Sequence, residues 1–134
     1  MLNRTIVLGT IAACMLATPI AAQAPAPSPT TTAFDGTYVG VSRTLEGTMY
    51  AINNHIKGCM PNGQPGPLTI ASGAARWLSY RGDTFEGSVN GQGVLVMHDP
   101  LAQRIDAQID GRGAVTGRFT GNCSFHMVWQ KEGK

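Results

Sequence analysis

The chain has 134 residues and a mass of 14.1 kDa, enough for one ordinary domain but too little for an eightfold βα barrel or a two-domain kinase. Charged residues make up only 13%, about half the usual share, which argues against coiled coils and long salt-bridged helices. The net charge is +2 with no run of Lys and Arg, so there is no basic stripe to attract a phosphate backbone, and no nucleic-acid partner is expected.

Residues 1–22 read as a secretory signal peptide. Arg4 supplies the positive start, the run from Ile6 to Leu16 is apolar apart from Gly9 and Thr10, and Pro19 ends it. Ile20-Ala21-Ala22 then offers small residues for cleavage after Ala22. The apolar run is shorter than the roughly 20 residues that span a bilayer, so no transmembrane segment is expected once the leader is removed. Ile11-Ala12-Ala13-Cys14 is an alternative reading, a lipobox in which Cys14 would be lipidated and anchor the chain. Either way the expected location is the periplasm or the exterior, reached through a bacterial-type signal.

Residues 23–33, QAPAPSPTTTA, hold Pro25, Pro27 and Pro29 and no bulky apolar group. Such a stretch buries too little surface to offset its ordering entropy and reads as a flexible tether. The remainder, 34–134, is expected to be a single β domain. All 17 glycines except Gly9 lie in it, and Gly73, Gly93 and Gly113 recur at intervals of twenty. Val89-Asn90-Gly91-Gln92-Gly93-Val94 and Ile109-Asp110-Gly111-Arg112-Gly113-Ala114 are near copies, with Ile70-Ala71-Ser72-Gly73-Ala74 a degenerate third. Asn-Gly and Asp-Gly are hairpin dipeptides because both positions accept φ > 0. A period of twenty with a tight turn in each repeat implies two short strands per repeat, an antiparallel meander rather than a helical solenoid.

Alternation between these turns has the period of half-buried strands. Ile105, Ala107 and Ile109 share a face, as do Val115, Gly117 and Phe119, and Cys123, Phe125, Met127 and Trp129. The expected strands are 36–44, 67–71, 74–80, 83–89, 93–99, 103–109, 113–120 and 123–131. Residues 47–57 are left open between strand and short helix, and 58–67 (GCMPNGQPGP) form a loop that no regular element can cross. About eight hairpin-linked strands make a small closed or nearly closed up-and-down barrel, with a β-sandwich as the alternative. Closure suits a chain with so few charges to block exposed sheet edges.

Cleavage after Ala22 leaves Cys59 and Cys123, which an exported protein most simply joins as a disulfide. Catalytic patterns are missing. His55, His98 and His126 lack metal-site spacing, there is no Gly-x-Ser-x-Gly, and Gly91-Gln92-Gly93 has neither the Lys nor the helix of a phosphate loop. No cofactor and no enzymatic activity are therefore expected. Asp83, Glu86, His98 and Asp99 form the test set for a small hydrolase, the least favoured class. Polar, aromatic and basic groups gather only at Tyr50, Asn53, Asn54, His55 and Lys57, with Trp77 on a neighbouring patch. Loops on rigid β scaffolds carry binding groups, so these six are the candidate contact residues for a protein or cell-envelope partner. Alternation puts Trp77 and Tyr80 on opposite faces of one strand.

Phe34-Asp35-Gly36-Thr37-Tyr38 resembles the Gly-x-Trp opening of lipocalin- and avidin-type barrels, with Tyr38 in the aromatic place. The resemblance implies that the first strand pairs with the last, near Trp129-Gln130-Lys131. It carries over the architecture and no ligand-binding residue. A small-ligand-binding barrel of this general kind is the alternative functional expectation.

Overall fold

The computed structural model describes residues 31–48 and 59–133. Those residues form an all-β structure of eight antiparallel strands in a closed barrel. The strands are β1 (Gly36–Thr48), β2 (Leu68–Ala71), β3 (Ala74–Leu78), β4 (Thr84–Val89), β5 (Val94–His98), β6 (Arg104–Ile109), β7 (Ala114–Thr120) and β8 (Cys123–Lys131). Each pairs with its sequence neighbour, and β1 closes on β8 with Tyr38 opposite Lys131 and Gly40 opposite Trp129. The closed barrel, not the sandwich, is the architecture. No helix among the described residues is long and apolar enough to cross a membrane.

The alternating residues face inward as their pattern requires. Tyr38, Leu68, Leu95, Met97, Ile105, Val115 and Trp129 are wholly inaccessible, and Phe85 and Met127 nearly so. Each such side chain contributes about 1.5–3 kcal/mol on leaving water. Inward-facing Gly117 lets β6 and β7 approach, since a Cβ there would sit 2.5 Å from that of Ala107.

The turns depart from the sequence expectation in one respect. Neither Asn90-Gly91 nor Asp110-Gly111 lies at positive φ; the left-handed residues are Gly93 (φ 80°) and Gly113 (φ 81°). In both hairpins the first residue's N–H bonds across to the first residue of the next strand, and the left-handed glycine's N–H bonds back to that first residue. This is a three-residue loop closed by a left-handed position, and it differs from the two-residue primed turn. The side chain opens it. Asn90 Oδ1 accepts the Gln92 and Val94 amides, and Asp110 Oδ1 accepts those of Arg112 and Ala114. The same device recurs at Ser79–Asp83 and Asp99–Gln103, with Gly82 (φ 87°) and Ala102 (φ 61°) in the left-handed place. The copy that looked degenerate, Ser72-Gly73, is the two-residue turn, with φ of 50° and 75° between paired Ala71 and Ala74.

Because strand direction alternates, Ser72-Gly73, 90–93 and 110–113 all fall at one end of the barrel. Residues 31–35 lie across that end. Phe34 packs on the core, Asp35 accepts the Ser72 and Gly73 amides at 2.7 and 3.1 Å, and the Tyr38 hydroxyl donates to the Phe34 carbonyl at 2.6 Å. At the other end lie the loops 79–83, 99–103 and 121–122. There β2 is too short to accompany the 13 residues of β1, and the Pro/Gly segment takes its place. Gly63 bridges Arg43 through two backbone bonds, and Asn62 Oδ1 accepts the Leu45 amide. The Cys59–Cys123 disulfide, with Cα atoms 5.8 Å apart, fixes this segment to the start of β8.

Candidate functional site

The end of the barrel opposite Phe34 opens into a cavity of about 130 Å³. Its inner wall is aromatic. Trp77 lies 5.2 Å from Phe85, Phe85 lies 5.6 Å from Phe119, and Phe119 lies 5.9 Å from Phe125, in tilted pairs. Met60 and Met127 complete the apolar surface. The rim is built by the turn after β3 (Ser79, Tyr80, Arg81, Asp83), by Leu101 and Gln103 after β5, and by Asn122 before β8. Tyr80 and Leu101 are exposed there, at 58% and 75%, while the rings behind them are shielded.

The tryptophans are held by one acceptor. Trp77 Nε1 and Trp129 Nε1 both donate to the Gly66 carbonyl, at 3.1 and 2.9 Å. A carbonyl oxygen has two lone pairs, so both indoles are satisfied without water, and the Pro/Gly segment becomes the support of the aromatic wall. Gly40 allows that segment to approach, because a Cβ there would overlap the Pro65 carbonyl oxygen.

Arg43 is the polar group of the inner wall. It is only 9% exposed, yet strict alternation from Val39 and Val41, which are 42% and 46% exposed, would turn it outward. A bulge between Gly40 and Ser42 changes the parity of β1 and brings Arg43 opposite Met127, onto the face of Tyr38. Its Nη1 donates to the Gln64 carbonyl at 3.3 Å and its Nη2 to the Pro61 carbonyl at 3.1 Å, while Nε is buried without a partner among the described residues. The guanidinium carbon lies 5.8 Å from the Phe125 ring centre. Burial draws the Arg43 pKa below the ordinary guanidinium value, and Tyr80 opposes that shift. Among the described residues no carboxylate lies within salt-bridge distance of it; the ion pairs are Arg104–Asp106 and Arg118–Glu46, on the outer surface.

Of the sequence candidates, Tyr50, Asn53, Asn54, His55 and Lys57 lie outside the described residues. Trp77 is 5% exposed and serves as core and cavity wall rather than as an exposed contact. Tyr80 also lines the cavity, contrary to the alternation argument, because β3 ends at Leu78 and Tyr80 belongs to the turn. The hydrolase test set does not converge. Asp99 is buried and occupied by the Leu101 and Gln103 amides and by Gln103 Nε2. Glu86 and His98 are paired across β4 and β5 on the outer face, and Asp83 stands at the rim. No group of three potential metal ligands occurs among the described residues. Sequence reasoning missed Arg43 and the rim residues Leu101, Gln103 and Asn122.

No protein-family model, no curated protein and no solved structure matches the chain.

Proposed function

We propose that the protein is an exported, non-enzymatic barrel that binds a small molecule in its open end. The observation that carries this reading is the combination of a cavity of about 130 Å³ with an aromatic inner wall and an exposed apolar rim. Binding sites are typically concave, mostly apolar and equipped with a few polar groups that fix orientation, and because sites for drug-sized ligands start near about 300 Å³, a cavity of about 130 Å³ restricts the ligand to about one ring. At the opposite end Phe34 packs on the core and Asp35 holds the Ser72-Gly73 turn. On these grounds we favour the small-ligand expectation over a protein or envelope partner held by the 50–57 region.

Export through a signal peptide over residues 1–22 is part of the proposal, supported by the Cys59–Cys123 disulfide, which persists in oxidising compartments. Intact-mass measurement of the mature protein separates cleavage after Ala22 from lipidation at Cys14.

The binding reading is tested by screening small aromatic and branched-chain fragments against the ¹⁵N-labelled protein. Hits are expected to move the Trp77 indole N–H and the amides of Ser79, Gln103 and Asn122, leaving the 90–93 and 110–113 turns in place. Fragments that bind nowhere at millimolar concentration, or only on the outer strands, would sink it.

A further inference from the structure

We propose that the molecule held in the barrel mouth is a small monocarboxylate with a flat apolar body, and that Arg43 recognises its charge. This rests on the mouth being the binding site. The inference starts from an imbalance. A guanidinium has five N–H donors and a full positive charge, and here it faces two neutral carbonyls, with Nε–H buried and unpartnered among the described residues. Pinning the Pro/Gly segment to β1 needs donors but not a charge. Burying a charge is costly unless it is paired, so a cation in this wall asks for an anion from outside.

The surroundings specify the rest of that partner. The planar guanidinium beside the Phe125 ring has N–H groups beyond the two given to the Gln64 and Pro61 carbonyls, and a carboxylate is the acceptor that such groups suit. The neighbouring surface is Phe85, Phe119 and Met127, which suits a ring or a branched chain and raises the strength of a charge pair by excluding water. The available volume, about 130 Å³, compares with the roughly 150 Å³ engineered cavity that holds benzene in another protein, so one ring fills it and any tail extends through the mouth. Among the described residues, the other charges lining the cavity are Arg81 and Asp83. With Arg43 they leave the lining net positive.

Four probes separate charge recognition from the existence of the site: benzoate, benzyl alcohol, benzylammonium and acetate, each titrated into the oxidised ¹⁵N-labelled protein. Benzoate is expected to bind at least tenfold more tightly than benzyl alcohol, with shifts at the Trp77 indole and the rim amides. Acetate, lacking the ring, and benzylammonium, with the wrong charge, are expected to leave those signals unmoved. Arg43→Met should bring the benzoate to benzyl alcohol ratio close to one, and Arg43→Lys should restore part of it, an effect that a purely structural arginine would not produce. If Arg43→Met does not fold, the wild-type ratio and the Lys variant decide. Equal binding of benzoate and benzyl alcohol overturns the carboxylate inference and leaves the binding site standing. If no probe moves the rim, the binding site itself is wrong.

Discussion

The left-handed positions of the three-residue loops give a graded test of how this barrel is held. Gly82 and Gly93 sit at φ of 87° and 80°, and Ala102 fills the equivalent place at 61°. A Cβ in the left-handed region costs about 1–2 kcal/mol, and replacing Gly by Ala returns roughly 0.4–1 kcal/mol by restricting the unfolded chain. At Gly82 nothing lies within 4 Å of an added Cβ, so Gly82→Ala carries the backbone cost alone, a net loss of about 0.5–1 kcal/mol. At Gly93 the Cβ would meet the Ile109 carbonyl oxygen at 2.5 Å. That oxygen is backbone in an adjacent strand and cannot swing away, so an overpacking cost of about 1–3 kcal/mol is added. Ala102→Gly removes strain already present and should stabilise by about 0.5–1 kcal/mol. Urea denaturation of the three variants, with unchanged m-values, checks the order Gly93→Ala, Gly82→Ala, wild type, Ala102→Gly from least to most stable. A Gly82 variant as damaged as the Gly93 variant would refute the added cost of the Ile109 contact, and an Ala102 variant that gains nothing would refute the strain assigned to a left-handed Cβ.

The disulfide closes a loop of 64 residues containing six strands, so Cys59→Ala/Cys123→Ala should lower stability by about 4 kcal/mol on the chain-entropy model; dithiothreitol should reproduce the loss in wild type and do nothing to the variant. Phe34→Ala, which uncovers one end of the core, should cost about 3 kcal/mol and speed amide exchange in the 90–93 turn while leaving the Trp77 indole signal unmoved. Arg104 holds the Asp106 carboxyl below the usual range, and the Ala114 amide does the same for Asp110. A depressed folded-state pKa contributes stability that is complete above the unfolded value of about 3.9 and is lost as pH falls through the folded value. Unfolding midpoints should therefore be flat above about pH 5 and fall at lower pH, and Asp110→Asn should fall less steeply.

The barrel was legible because its strands alternate strictly and its glycines keep time. From Leu68 onward the expected strands match the observed ones to within two residues, and the shared faces expected on the last three strands are the inward ones. The failures sit where a single extra residue breaks the period. In β1 Val39 and Val41 face outward beside inward Tyr38, and the bulge after Gly40 shifts the period so that Arg43, which strict alternation would leave outside with them, faces in. Only Gly40, small and unbranched among Tyr38, Val39 and Val41, marks the place. The turn type was misread because Asn-Gly satisfies two rules at once; Asn90 acts here through its side-chain oxygen, and the left-handed conformation falls three residues later. Asp99, one of the hydrolase test set, is occupied by three donors that all come from the turn it opens.

The same periodicity separates the end that holds the fold from the end that can hold a ligand. Gly73, Gly93 and Gly113 are spaced by twenty residues, and the carbonyls of all three accept an amide from the next hairpin, those of Val89, Ile109 and Lys131. They form a regular rail under Phe34. The opposite end carries the same beat, Gly82 followed twenty residues later by Ala102, but it is degraded. Ala102 keeps a strained backbone, the β7–β8 connection shrinks to Gly121-Asn122, and β2 gives way to a Pro/Gly segment that supplies carbonyls instead of a ladder. Each irregularity removes main-chain pairing from that rim and leaves side chains to define it. The asymmetry, with a guanidinium that has two carbonyls but no carboxylate among the described residues at the irregular end, is what supports the proposal that recognition belongs to the opening rather than to the outer sheet.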